Sequence, residues 1–132
     1  MTKFALITGG TKGIGKAVAQ ILAKAGYNLI LTYGNDVEAA QFVQAEFTER
    51  FNTEIFILQA DITSEKSIQV IFDFLKRKDI RLFSLIFNAG ITSRTRFEDI
   101  KQEEWERVFY ANVHFPVFLL QKILSRIEIG GN

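Results

Sequence analysis

The chain has no cysteine, so it forms no disulfide and offers no thiolate to a metal. It has one histidine, His114, which rules out a histidine-rich metal centre, and no metal site is expected. It has one proline, Pro116, so its connectors carry little rigid punctuation. It lacks a dominant charge: 16 Lys and Arg stand against 15 Asp and Glu, for a net +1. That balance argues against a nucleic-acid partner or a polybasic membrane surface. The first apolar run, Phe4-Ala5-Leu6-Ile7, meets glycines at once and is too short for a signal or a membrane span. A cytoplasmic location is the default expectation. What the chain has in quantity is core: 48% of its 132 residues are hydrophobic and 13 are phenylalanine, enough for one well-filled domain over residues 1–132.

Strand-like and helix-like patterns alternate with short connectors. A first strand is expected over residues 3–8 and a helix over 14–25, with Gly26 just past its end. A second strand covers 28–32 and is apolar through its middle, as buried parallel strands are. Ala40, Val43, Phe47 and Phe51 stripe a second helix, and a third strand covers 54–59. Thr63 or Ser64 is expected to cap a third helix, whose Ile68, Ile71, Phe72 and Leu75 share one face. Lys76-Arg77-Lys78 complements that helix's C-terminal end. A fourth strand is expected over 82–87. A long helix follows over 102–127, held by Trp105, Phe109, Leu119, Leu120, Ile123 and Leu124. Ile129 to Asn132 reads as a loop leading toward a further strand. The alternation gives an α/β fold: a parallel sheet with helices on both faces.

The most informative stretch is Thr8-Gly9-Gly10-Thr11-Lys12-Gly13-Ile14-Gly15, between the first strand and its helix. Helix-terminal N–H groups face an anion there, and absent side chains let a dinucleotide pyrophosphate come close. The glycines follow G-x-x-x-G-x-G, not the common G-x-G-x-x-G. Three more signals stand at or beyond the carboxyl ends of strands: Asp61-Ile62 after the third, Asn88-Ala89-Gly90 after the fourth, and Asn112 in the long helix.

In this order the motifs resemble the short-chain dehydrogenase/reductase family, over residues 3–132. Asn88-Ala89-Gly90-Ile91-Thr92 is also similar to beta-ketoacyl-acyl-carrier-protein reductases. The resemblance implies a Rossmann-like fold, truncated after the fourth strand and its helix, and an oxidoreductase that reduces a carbonyl or a 3-oxoacyl thioester. It implies that residues 9–15 hold the pyrophosphate, including Gly9, Thr11, Gly13, Ile14 and Gly15, and that Thr8 braces them. Asp61 would bond the adenine amino group beside Ile62, with turn formation as the plain alternative. Asn88, Ala89 and Gly90 would line the ribose side, with Tyr33 near the second strand's end. Lys12, where NADP-preferring members often carry a basic residue, would attract a 2′-phosphate, or else is an exposed loop lysine. No acid stands at Thr32 or Tyr33, and Asp36 suits the N-cap of the next helix. NADP is therefore expected over NAD.

Pro116 has no N–H to answer the carbonyl of Asn112, so the long helix should kink there. In the family that carbonyl holds a relay water, which makes Asn112 the one catalytic candidate; simple bending of the helix is the alternative. His114 reads as a surface or packing residue. Arg94 and Arg96 would meet an acidic carrier or a phosphate, or are ordinary surface arginines. The family's catalytic serine and Tyr-x-x-x-Lys pair have no match: four residues after Tyr27, Tyr33 and Tyr110 stand Leu31, Val37 and His114. The chain is therefore expected to be inactive alone. With its fourth strand left as an edge, and with its long helix expected to show apolar surface at Leu119 and Ile123 among others, it should be marginally stable or associate, and a homo-oligomer is expected of the longer protein. The alternative to an enzyme is a non-catalytic nucleotide-binding module.

Overall fold

The computed structural model describes residues 2–132. Four parallel strands form one sheet: β1 (Phe4–Ile7), β2 (Asn28–Tyr33), β3 (Ile55–Gln59) and β4 (Ser84–Ile86), in the order β3-β2-β1-β4. In register, Leu6 lies opposite Ile30 on one side and Leu85 on the other. Side chains alternate along a strand, so the apolar runs feed two cores. Ala5, Ile7, Leu29 and Leu31 pack under α1 (Gly13–Lys24) and α2 (Val37–Arg50), against Ala19, Ala23, Val43 and Phe47. Leu6 and Ile30 face the other way, toward α3 (Lys66–Arg77) and α5 (Phe115–Ile123), against Ile71, Leu75, Phe115 and Leu119. The expected sheet with helices on both faces is what forms. β1 sits between β2 and β4, so the winding reverses at its carboxyl end and opens a crevice there.

Local chemistry sets several boundaries. Asp36 caps α2 as expected: its Oδ1 accepts the Ala39 amide at 3.0 Å. The third helix departs from expectation. Neither Thr63 nor Ser64 caps it, and it starts at Lys66 without a side-chain cap. The Thr63 amide and hydroxyl both donate to Asp61 Oδ1 at 2.8 Å, and Ser67 Oγ donates to the Asp61 carbonyl at 2.6 Å. The Thr63 hydroxyl is engaged by the turn before the helix.

The region after β4 is the largest departure. β4 is shorter than the apolar run, and its edge is not bare. Residues 126–132 lie along it: Leu82 N donates to the Arg126 carbonyl at 2.6 Å, Glu128 N to the Leu82 carbonyl at 2.8 Å, and Leu85 N to the Asn132 carbonyl at 2.8 Å. Backbone groups at a buried strand's edge need partners, and this segment supplies them. The expected continuous helix is three pieces: α4 (Gln102–Phe109), a π turn (Tyr110–His114) and α5, followed by a 3-10 turn at Leu124–Arg126. Of its six expected anchors, Trp105, Phe109, Leu120 and Leu124 are exposed, whereas Leu119 and Ile123, expected to show as apolar surface, are buried against the sheet and α3.

Candidate functional site

The glycine turn after β1 is braced from both neighbouring strands. Thr8 is buried, and its Oγ1 accepts the amides of Asn88 and Ala89, each at 3.1 Å. Asn88 Nδ2 answers by donating to the carbonyls of Thr8 and Gly9, each at 3.1 Å. From β2, Thr32 Oγ1 accepts the Gly9 amide at 3.2 Å, and the Thr32 carbonyl accepts the Gly10 amide at 3.2 Å. Sequence reasoning missed Thr32. Its signal was a polar residue closing an apolar strand beside a glycine turn.

Two glycines explain the turn's spacing. Gly13 has φ +52°, and a Cβ there would meet nothing within 4 Å. It adopts a conformation that side chains disfavour and faces open space at the start of α1. Gly15, inside the first turn of α1, lies against the strand ends: a Cβ on it would overlap the Gly9 carbonyl oxygen and stand 2.5 Å from Asn88 Nδ2. Thr11 is buried beneath the turn, while Ile14 points out and is exposed.

A crevice of about 210 Å³ opens beside this turn, lined by Gly9, Tyr33, Asp61, Ile62, Ala89 and Gly90 of the expected residues, together with Thr32, Gly34, Ala60 and Ile91. Thr8, Thr11, Lys12, Gly13, Ile14, Gly15 and Asn88 do not line it. Gln59 Nε2 fixes the rim by donating to the Gly34 carbonyl at 3.0 Å. Asp61 lies on the wall and also forms the turn to Thr63, so the turn reading holds at this residue. A dinucleotide fits this donor set. The turn leads into the N-terminus of α1 beside this crevice, at the place where an open parallel sheet takes its ligand.

Lys12 stands at the N-cap position of α1 without capping it. Its ammonium forms an ion pair with Asp36 Oδ2 instead. The Lys12 ammonium, and after it the Ala39 amide, hold the Asp36 carboxyl below its ordinary range. The Lys12 side chain is 61% exposed, so the pair is a solvated one.

Asn112 lies in the π turn and clamps the segment after β4. Its Nδ2 donates to the Ile91 carbonyl at 2.7 Å, and its Oδ1 accepts the Ile91 amide at 2.9 Å. The expected distortion is there, as one wide turn: the Phe115 amide reaches the Tyr110 carbonyl five residues back. Asn112→Ala is expected to cost about 1–2 kcal/mol in thermal unfolding, because both Ile91 bonds go. A variant as stable as the parent would mean the clamp is dispensable.

The neighbouring loop is tied down by a carboxylate that sequence reasoning did not single out. Glu104 accepts from Ser93 Oγ and from Thr95 Oγ1, the latter at 2.6 Å, and those hydroxyls hold its carboxyl below the usual value. Arg96 lies 3.9 Å from Glu98, and Arg94 is exposed. His114 stacks between Tyr110 and Phe118 at centroid distances of 4.6 and 4.3 Å, a packing role as expected. Burial, and then the Glu65 charge, raise the Tyr110 phenol above its usual range. No cluster of metal-ligating side chains exists among the described residues. No described helix is long and apolar enough to cross a membrane.

Comparison with known proteins agrees with this geometry. The family model for short chain dehydrogenase matches residues 3–131. The uncharacterized oxidoreductase YgfF of Escherichia coli is 37% identical over 131 residues, covering 97% of this chain and 53% of that protein. The 3-oxoacyl-[acyl-carrier-protein] reductase FabG of Staphylococcus aureus is 31% identical over 122 residues, covering 92% and 49%. Among solved structures, the angucycline C-6 ketoreductase LanV with bound NADP superposes with a TM-score of 0.90 at 30% identity, covering 98% of this chain and 52% of that one. A short chain dehydrogenase from Burkholderia cenocepacia in complex with NADP gives 0.90 at 29% identity, covering 98% and 52%. The chain spans about half the length of the relatives it matches. Its fold, its braced glycine turn and these matches together make it a member of the short-chain dehydrogenase/reductase family.

Proposed function

We propose that residues 1–132 form one nucleotide-binding domain, and that the protein to which they belong is an NADP(H)-dependent reductase of a carbonyl compound, a 3-oxoacyl thioester among the candidates. The supporting observation is the crevice beside the glycine turn, near the N-terminus of α1, with the turn braced by Thr8, Thr32 and Asn88. In this reading the amides of residues 9–15 take the pyrophosphate, Asp61 and Ile62 meet the adenine, and Asn88, Ala89 and Gly90 support the ribose. Tyr33 walls the adenosine end. Lys12 favours a 2′-phosphate, in keeping with the NADP bound in the two neighbouring structures. Bound NADPH would supply hydride to the carbonyl carbon. Asn112 holds Ile91, and with it the wall on which the substrate would lie.

The similarity to the Staphylococcus aureus 3-oxoacyl-[acyl-carrier-protein] reductase supports the thioester; a role in fatty-acid synthesis, in the cytoplasm, is part of the same proposal. The exposed stripe Trp105, Phe109, Val113 and Val117 supports a homo-oligomer. A second reading, a non-catalytic nucleotide-binding module, draws on one fact: no Tyr-x-x-x-Lys pair occurs among these 132 residues.

Titrating the chain with NADPH, followed by cofactor and Trp105 fluorescence, is expected to give saturable binding. With a ketone or a 3-oxoacyl thioester added, no consumption of NADPH is expected, because the proton donor is missing. A flat titration removes the nucleotide-binding reading. Turnover by these residues alone would place the catalytic groups elsewhere than the family pattern does.

A further inference from the structure

The loop between β4 and α4 has little to hold it. Residues 92–100 are all exposed, so no buried side chain anchors them. Their backbone bonds stay local, from the Asp99 amide to the Arg96 carbonyl and from the Ile100 amide to the Phe97 carbonyl. Arg96 pairs only within the loop, with Glu98. Glu104, in the first turn of α4, does the tying. Its Oε1 accepts from both Ser93 Oγ and Thr95 Oγ1, the latter at 2.6 Å. Ser93 Oγ in turn accepts the Thr95 amide at 3.1 Å. Among the described residues, one carboxylate oxygen is thus the sole hydrogen-bonded tie between residues 92–96 and the rest of the fold. Hydrogen bonds to an ionised oxygen are the strong kind. The Ser93 and Thr95 hydroxyls, and less strongly the Lys101 amide, hold this carboxyl below its usual value, so the tie is charged at neutral pH.

The loop leaves directly from the crevice wall. Gly90 and Ile91 line the crevice, while Thr92 and Ser93 line a separate cavity of about 250 Å³ against Ile100, Trp105 and Phe109. Residues 90–93 are a partition between the two. Tyr33, Asp61 and Ile62 wall the other end of the crevice, beyond β2 and β3 and across β1 from this partition.

We propose that Glu104 is a positioning residue of the site: by latching Ser93 and Thr95 to α4 it holds the Gly90–Ile91 wall, and so governs the grip on the part of a dinucleotide that lies beyond its adenosine. Glu104 touches no ligand and acts through the loop. The assignment of ends rests on the nucleotide-binding reading above; the latch does not.

The latch is tested without any ligand. Arg94 and Arg96 are exposed in the loop and open it to trypsin. Brief trypsin treatment of the native chain, read by mass spectrometry, follows the open population of the segment. Glu104→Ala is expected to speed the cut after Arg94 by about tenfold, through loss of two charge-assisted bonds at an exposed site. Glu104→Gln keeps an acceptor oxygen in place and should recover part of the protection; it also replaces the alanine variant should that one unfold. Glu103→Ala removes the neighbouring first-turn charge of α4 and should be cut like the parent. Thr95→Val and Glu104→Ala should not add, because both remove the same bond.

The positioning role is tested by calorimetric titration with NADPH and with 2′,5′-ADP, which carries the adenosine end alone. A loosened wall lowers the population competent to bind, so Glu104→Ala is expected to weaken NADPH by about threefold to tenfold and to leave 2′,5′-ADP within about twofold. Unchanged cleavage after Arg94 in both Glu104 variants overturns the latch. Equal weakening of both ligands means that Glu104 serves the fold as a whole, which overturns the positioning role. Faster cleavage with NADPH binding unchanged overturns it too, since the loop would then open without moving the wall. If the parent binds neither ligand, the nucleotide-binding reading falls and takes the positioning role with it, while the cleavage result decides the latch alone.

Discussion

Gly15→Ala should abolish saturable NADPH binding and lower the stability of the chain. The substitution favours helix by about 1 kcal/mol on propensity alone, since alanine outranks glycine inside a helix. Packing opposes it. The new Cβ would overlap the Gly9 carbonyl oxygen and press on Asn88 Nδ2. Neither neighbour is the loose end of a flexible side chain. The Gly9 carbonyl is backbone and accepts from Asn88 Nδ2, and the same nitrogen donates to Thr8. Forcing atoms into a packed site costs about 1–3 kcal/mol, and more where backbone must move, so the clash outweighs the propensity gain. To relieve it α1 must back away from the strand ends, which carries the amides of the turn out of line.

Gly13→Ala is the informative contrast. Nothing crowds a Cβ there, so the cost is the left-handed backbone alone, about 1–2 kcal/mol. That variant should stay folded and still bind NADPH poorly, because a methyl at the start of α1 would stand where the diphosphate is proposed to approach the amides of the turn. Circular dichroism melting beside fluorescence titration separates the two. Undiminished NADPH binding by both variants would remove the glycine turn from the site.

How much of this was legible beforehand varies by element. The strands were, because each is a short apolar run bounded by turn residues, and parallel strands buried on both faces read that way. The glycine turn alone was weak evidence, because glycine turns are common; it was legible through its place between a strand and a helix, with Asp61, Asn88-Ala89-Gly90 and Asn112 following in order. The helix after β4 was the weak point, and the reason is geometric. It carries two apolar stripes, each repeating every four residues: Ala111, Phe115, Leu119 and Ile123 are buried, while Trp105, Phe109, Val113 and Val117 are exposed. Periodicity finds both stripes and cannot say which one meets the sheet. The start of α3 was misplaced because Asp61 engages Thr63 and Ser67, a contest between turn and cap that spacing alone does not decide. The Lys12–Asp36 pair was invisible for a plainer reason. It joins residues 24 apart through the fold, and each had a sufficient local explanation.

Thr8→Val is expected to cost the chain about 2–4 kcal/mol, a large share of the roughly 5–15 kcal/mol that holds a domain together. Valine matches threonine in shape, so the variant opens no cavity and removes only the oxygen. That oxygen accepts two amides, from Asn88 and Ala89, at a residue only 2% exposed. Both N–H groups would face a methyl, and a buried donor without an acceptor loses the full cost of its desolvation. In a chain this size the melting temperature should fall by on the order of 10 °C. Thr8→Ser keeps the oxygen and loses one methyl, about 1 kcal/mol, so it should remain near the parent. The functional consequence follows from where those amides sit. Asn88 and Ala89 fix the carboxyl end of β4, and the Asn88 side chain carries the Gly9 carbonyl. Valine at residue 8 should therefore loosen both walls of the crevice and weaken NADPH even where the chain remains folded, while serine should bind as the parent does. If valine and serine melt and bind alike, the hydroxyl of Thr8 braces nothing, and the rigidity of the turn must come from Thr32 on the β2 side.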